Sequence, residues 1–380
     1  MNPKFHHMKI CPITIHQRFN HAIPMTTDPN QSLPVHDQAL PLGKESAYPK
    51  GYSPEVLYPI ARSQARSAIR GLAPMSNDTA TLPFIGWDLW RAYELSWLQP
   101  SGLPAVGILK IWVPCESPFI VESKSLKLYL NSLNHTTFEN TDALVACLQK
   151  DLDAATGSTV RVSLVLPAAF EQESIEETVL GCLDDQTVQI EHYQPHAALL
   201  INSTTDAMVS EQLFSRLLKS NCPVTNQPDW ATIHIQYDGR QIDHAALLRY
   251  IVSYRDHQGF HEQCVEQIFC DLMAYCQPTS LSVYARYTRR GGLDINPWRA
   301  TPGTQAPNLL RSAQQQVGDW LAQFEPPTAR HRQTQTQHRP KARAPSQRQA
   351  TSQIAAGRGP SPHLGPHRPG HKLTPQSPSG

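Results

Sequence analysis

No apolar run in this sequence approaches the roughly 20 residues that a membrane-spanning helix needs. The opening stretch MNPKFHHMKICPITIHQRF has no apolar core and is too polar for a secretory signal. Cysteine is sparse: eight residues in 380, scattered rather than paired at the spacings of a disulfide framework. These absences point to a cytoplasmic, reduced protein without a membrane partner. The common nucleotide and hydrolase signatures are missing as well. No G-x-G-x-x-G follows a strand-like run, and there is no Walker loop, H-E-x-x-H or G-x-S-x-G. Any nucleotide cofactor is therefore held outside a Rossmann crevice. Acidic residues vanish after Glu325, a stretch that holds nine of the 33 Lys and Arg residues. The rest of the chain then has 24 basic residues against 32 acidic ones, a balance of −8. An acidic body is not that of an obvious nucleic-acid enzyme, and a basic tail of this kind is more often simply solvated.

What is present falls into four stretches. Residues 1–45, rich in His, Pro, Asn and Thr without periodicity, read as a disordered leader, with Met8 and Met25 as alternative starts. Residues 301–380 read as a basic low-complexity tail, most clearly from Pro326, and before that point one amphipathic piece, LLRSAQQQVGDWLAQF, is expected to be helical. Between these ends the pattern alternates. AVGILKIWVP reads as a strand, ESKSLKLYLNS as a polar-punctuated segment, TDALVACLQKDLDAA as a helix capped by Thr141 or Asp142, and TVRVSLVLP as a strand. The theme then repeats: HAALLIN and WATIHIQYDG read as strands, IDHAALLRYIVSYRDH and HEQCVEQIFCDLMAYC as helices, and SLSVYARYTRR as a last strand. The fold class expected is α+β, a duplicated module over residues 46–175 and 176–300 with its helices on one face of an antiparallel sheet.

Chemistry has few places to reside. Cys264, Cys270 and Cys276 recur every six residues, steps of about 240° on a helix, so the thiols cannot converge on one ion. They read as core cysteines, like Cys11, Cys115, Cys147 and Cys182, and no metal site is expected. Cys222 stands in the loop NCPVTNQPDW, off any periodic apolar face; it is either a small filler or a nucleophile. A nearby carboxylate would raise a thiol pKa, so Asp229 suits a proton carrier better than a thiolate stabiliser. Phe260, His261 and Glu262 stand at a helix entrance, as solvated first-turn residues or as an aromatic wall, an acid/base and an acceptor aimed at one ligand. Glu122, Ser123, Lys124 and Lys127 form either a charged strand edge or an acceptor beside two cations. Arg289 and Arg290 precede paired glycines, in a plain loop or one that meets a phosphate.

Four blocks in order carry a resemblance. ESKSLKLYLNS, SNCPVTNQPDWATIHIQYDGRQID, FHEQCVEQIF and SVYARYTRRGGLDINPWR are similar to those of the NADPH-dependent 7-cyano-7-deazaguanine reductases, nitrile reductases of queuosine biosynthesis, in their long two-module form. The likeness runs from about Gly43 to Arg299. It implies tandem tunnelling-fold modules, each a four-stranded antiparallel sheet with two helices, assembled as a homodimer. It further implies Cys222 as the nucleophile and Asp229 as the proton donor. His261 and Glu262 would bind substrate, together with Val121, Glu122, Ser123 and Phe260, and His261 would also move protons. NADPH would meet Ser123, Lys124, Arg290 and Gly291, with Lys127 a further contact for its phosphate. The rival readings are a cysteine hydrolase or amidotransferase using Cys222 and His261, a zinc-dependent cyclohydrolase, and an RNA- or partner-binding protein acting through the tail.

Overall fold

The computed structural model describes residues 48–72, 82–176, 181–307, 311–312 and 314–315. The leader 1–45, the tail beyond Gln315 and most of the stretch LLRSAQQQVGDWLAQF lie outside the described residues.

In chain order the elements are β1 (Pro59–Ala61), α1 (Arg62–Arg66), β2 (Ile85–Leu98), β3 (Pro104–Pro114), β4 (Phe119–Val121), α2 (Ser123–Ser132), α3 (Thr141–Thr156), β5 (Arg161–Val165) and β6 (Ile175–Glu176). They continue as β7 (Thr204–Asn221), β8 (Pro228–Ile242), α4 (His244–Val252), α5 (His261–Tyr275), β9 (Ser280–Tyr287), β10 (Leu293–Ala300) and β11 (Arg311–Ser312). Seven strands make one antiparallel sheet in the order β5-β3-β2-β10-β9-β8-β7. Alternation along β8 shows how the sheet is two-faced: Ile233, Ile235 and Tyr237 bury against α4 and α5, while Thr232, His234 and Gln236 point the other way. The N-terminal half builds a matching core from Trp90, Leu109 and Ile111 under α2 and α3.

The two halves repeat in detail. Tyr129 of α2 donates to Asp151 of α3 at 2.6 Å, and Tyr250 of α4 donates to Asp271 of α5 at 2.6 Å. In each half a serine three residues after that tyrosine donates back to its carbonyl, Ser132 to Tyr129 and Ser253 to Tyr250. Each half also locks the end of its first long strand to the segment entering its second helix. Leu98 exchanges backbone bonds with Thr136 and Phe138, and Asn221 with His257 and Gly259. The α+β tandem expected from the sequence is present, but the N-terminal half gives three strands to the shared sheet rather than the four expected of each module, and the C-terminal half gives four.

Three local expectations are corrected. The ESKSLK stretch is not a strand edge. Leu126, Leu130 and Leu133 recur at helical spacing and are buried, and the Glu122 side chain caps α2 by accepting from the amides of Lys124 and Ser125. Helix α3 is capped by Asn140, whose Oδ1 accepts from Ala143 N at 2.9 Å, so neither Thr141 nor Asp142 is the cap. HAALLIN forms a 3-10 turn over Ala197–Leu200, which buries Leu200 in the core. Strands β2, β7 and β10, which periodicity did not single out, complete the sheet.

Candidate active site

The stretch NCPVTNQPDW is a hairpin turn. Asn221 ends β7 and pairs with Pro228, which opens β8 where a missing N–H is tolerated. The turn closes through Cys222 N to Gln227 O (2.9 Å) and Asn226 N to Cys222 O (3.0 Å), with Asn226 in the left-handed region at φ 56°. Cys222 is 6% exposed, so the loop is not the watery one its composition suggests. Asp229 lies one residue inside β8 opposite Ser220, on the same rigid hairpin as the cysteine. The Asn221 lock to His257 and Gly259 then carries the chain directly into Phe260, His261 and Glu262 at the start of α5.

These residues converge with the start of α2 from the other half. Val121, Glu122, Ser123, Cys222, Asp229, Phe260, His261, Glu262 and Arg290 line one cleft. The His261 ring is not solvated: it stacks flat on Tyr287 at 3.7 Å, with Nδ1 3.3 Å from Ile295 O and Nε2 3.4 Å from Asp229 Oδ2. Asp229 Oδ1 is 3.0 Å from Arg290 Nη1. Burial pushes the Asp229 carboxyl up, but His261, Arg290 and Lys127 more than offset it and hold it below the usual carboxylate range. Asp229 is therefore a resting carboxylate, able to receive a proton.

The two glutamates differ from it. Burial, and next the charge of Asp88, push Glu262 up to about 7, and its Oε1 has no hydrogen-bond partner among the described residues. A buried acceptor without a donor is an unfilled half of an interaction. Glu122 is also raised by burial, offset in part by the two amides it caps. Lys127 is lowered to about 8 by burial and by Arg290 beside it. Lys127 and Gly291, which do not line the cleft itself, meet behind it: a Cβ on Gly291 would lie 2.9 Å from Lys127 Nζ, so glycine there lets the ammonium sit against the turn. Lys124 N is held by Glu122 Oε1 at 2.8 Å. Lys127, Arg290 and the positive-φ turn at Gly291 thus stand together as a cluster of positive charge.

Residues 48–164 match the family described as nitrile reductase, 7-cyano-7-deazaguanine-reductase N-term, and residues 228–306 match the QueF-like protein family. The chain is 53% identical over 275 residues to the NADPH-dependent 7-cyano-7-deazaguanine reductase of Paraburkholderia phymatum, covering 72% of this chain and 98% of that one. It is 50% identical over 283 residues to the like-named enzyme of Bordetella avium, covering 74% and 100%. With that of Stenotrophomonas maltophilia it shares 54% over 267 residues, covering 70% and 94%. The chain belongs to this reductase family.

Several residues around the reductase cleft escaped the sequence reading. Trp90 and Ile295 line it from β2 and β10, strands that periodicity had not revealed. Tyr287, under His261, had one weak signal, its place on the helix-facing side of the alternating run SVYARY. Behind Glu262, one turn along α5, Glu266 binds Arg66 (2.6 Å) and Arg299 (2.8 Å), while Asp88 binds Arg62 (2.5 Å) and Arg299 (2.8 Å). This buried network ties α1 and β2 of one half to α5 and β10 of the other, and brings the Asp88 charge near Glu262. Nothing local in the sequence marks it.

Proposed function

We propose that this chain reduces the nitrile of 7-cyano-7-deazaguanine to 7-aminomethyl-7-deazaguanine with two NADPH, through a covalent thioimide on Cys222, in the synthesis of queuosine for tRNA. The observation that carries the reading is the gathering of Cys222, Asp229, His261, Glu122 and Glu262 around one cleft. The names of the curated relatives support the substrate and the cofactor.

A nitrile carbon is a weak electrophile, and addition of the Cys222 thiol converts it into a better hydride acceptor. The C–S bond forms as one C–N π bond opens. Asp229, ionised at rest, takes the thiol proton and passes it to the nitrile nitrogen. NADPH, when bound, supplies one hydride at each of two successive reductions. After the first, the C–S bond breaks, returning Cys222 and leaving an imine for the second. His261, held between Asp229, Ile295 O and the Tyr287 ring, shuttles protons to the nitrogen in these later steps. Glu262 and Glu122 accept from the N–H groups of the deazaguanine, with Glu262 Oε1 the acceptor still lacking a donor. Phe260, Val121 and Ser123 wall in the base. Ser123, Lys124, Lys127, Arg290 and Gly291 are the groups that would hold NADPH, the cations meeting its phosphates.

The proposed boundaries are an N-terminal module over residues 46–175 and a C-terminal module over residues 176–300, acting as a cytoplasmic homodimer that requires no nucleic acid. Intact-protein mass after incubation with the nitrile in the absence of NADPH tests the reading. An adduct of substrate mass, absent from Cys222→Ala and discharged to the amine by NADPH, is expected. No adduct on folded protein and no NADPH consumption would overturn it. A cysteine hydrolase would turn over without any reductant.

A further inference from the structure

We infer that Gln315, beyond both modules, is a positioning residue for the His261 side of the cleft; the inference rests on the reductase reading above.

Strands β9 and β10 are paired only where Ser282–Tyr284 meet Trp298–Ala300. Toward the cleft they part, although β9 stays on β8 as far as Tyr287 and β10 stays on β2 as far as Leu293. The parting leaves the Tyr287 peptide groups without a ladder partner in the middle of a sheet, a costly position for buried backbone. Two side chains fill the gap. Asn296 Oδ1 accepts from Tyr287 N at 3.1 Å, and Gln315 Nε2 donates to Tyr287 O at 2.8 Å and to Asn296 Oδ1 at 2.9 Å. Gln315 Oε1 accepts from Ser312 N at 3.0 Å, and the residue is fully buried. Its neighbour Gln314 is pinned to Thr232 Oγ1 (2.6 Å) and Arg216 O (2.8 Å). Arg311 and Ser312 pair with Ile175 and Glu176.

The gap lies under the cleft. Tyr287 is the ring on which His261 stacks, and Ile295, next to Asn296, offers the carbonyl facing His261 Nδ1. Gln315 therefore sets the Tyr287 backbone, Tyr287 and Ile295 set the imidazole, and the imidazole faces Asp229. Cys222 is held independently by the β7–β8 turn. Loss of Gln315 should disturb proton delivery in the later steps and spare thiol addition.

The test uses full-length protein with Gln315→Ala and Gln315→Glu, read by adduct formation and by turnover across pH. The expected result for Gln315→Ala is an adduct formed as in the parent, with kcat lowered about tenfold or more, part of the roughly 100-fold or more that positioned proton transfer contributes. For Gln315→Glu, a carboxylate cannot donate to Tyr287 O but a carboxylic acid can. Its kcat relative to the parent should recover as pH falls. Unchanged kcat in both variants, or a constant ratio to the parent across pH in Gln315→Glu, would overturn the inference. So would adduct formation lost along with turnover in both, since Gln315 would then serve the fold as a whole. An adduct missing from the parent itself would instead be the failure of the reductase reading.

Discussion

Arg290 reaches from the β9–β10 turn to within 3.0 Å of Asp229, so one cation faces both the carboxylate proposed to move a proton and the turn proposed to meet a cofactor phosphate. Asp229 is 7% exposed, and a buried carboxylate without a partner would be protonated more readily. With Arg290, His261 and Lys127 facing it, it stays ionised. In the proposed mechanism the proton-acceptor role of Asp229 and the cofactor contact are therefore coupled through a single guanidinium.

Replacing that guanidinium separates the two effects. Arg290→Ala should raise KM for NADPH and let the Asp229 carboxyl rise toward the usual range, moving the acidic limb of the kcat/KM profile to higher pH. Arg290→Lys should keep part of the charge while losing the planar donor pair. Steady-state kinetics from pH 5 to 8 check this; an unmoved acidic limb in Arg290→Ala would count against the coupling.

Asp229→Asn keeps the shape of the side chain and removes its ability to take a proton. Adduct formation with the nitrile should slow by about 100-fold or more, in line with a lost general acid/base. The amide also leaves Arg290 without its counter-charge, so the variant should melt at a lower temperature. Stopped adduct formation read by mass, beside a thermal scan, separates the two consequences.

Glu262 gives a pH dependence with a defined sign. Its carboxyl is raised from the ordinary 4.5 to about 7 in the folded protein, so between those values the folded state holds more protons than the unfolded one. Stability from this group is fully present below pH 4.5 and is lost as pH rises through about 7. The loss is at most ~3 kcal/mol, from the usual free energy per pKa unit. Glu262→Gln should flatten that slope and raise the stability of the ligand-free protein above pH 7, while weakening nitrile binding. Binding to the parent should release protons near pH 6 to 7, because substrate N–H donors favour the carboxylate; calorimetry in buffers of different ionisation enthalpy measures this.

How much of this was legible depended on whether a segment's period was clean. AVGILKIWVP and WATIHIQYDG announce β3 and β8 because one face of each is almost wholly apolar, and HEQCVEQIFCDLMAYC announces α5 through apolar residues at helical spacing, although Glu262, Glu266 and Asp271 are buried beside them. Strand β2 was hidden because its buried positions include Asp88 and Arg91, whose burial is permitted only by partners far away in sequence. SKSLKLYL looks two-fold because Ser and Lys alternate with Leu, yet it folds at helical period once Glu122 caps it. The site residues that lie in motif blocks could be named from the blocks. Tyr287, Gln315 and the network of Arg62, Arg66, Asp88, Glu266 and Arg299 could not, since only the tertiary fold brings them together.

The repeated tyrosine–carboxylate contact allows a purely structural control. Tyr250 is buried and donates to Asp271 Oδ2 at 2.6 Å while meeting Tyr254 Oη at 2.9 Å. Tyr250→Phe removes the donor and leaves a buried carboxylate oxygen short of a partner, which should cost about 1–3 kcal/mol. Tyr129→Phe removes the corresponding donor to Asp151, where the Tyr52 hydroxyl still donates at 2.7 Å. The N-terminal change should therefore cost less than the C-terminal one. Denaturant unfolding of both variants orders the two losses, and adduct formation at Cys222 should persist in each. Equal losses would mean that the Tyr52 hydroxyl does not take over for Tyr129.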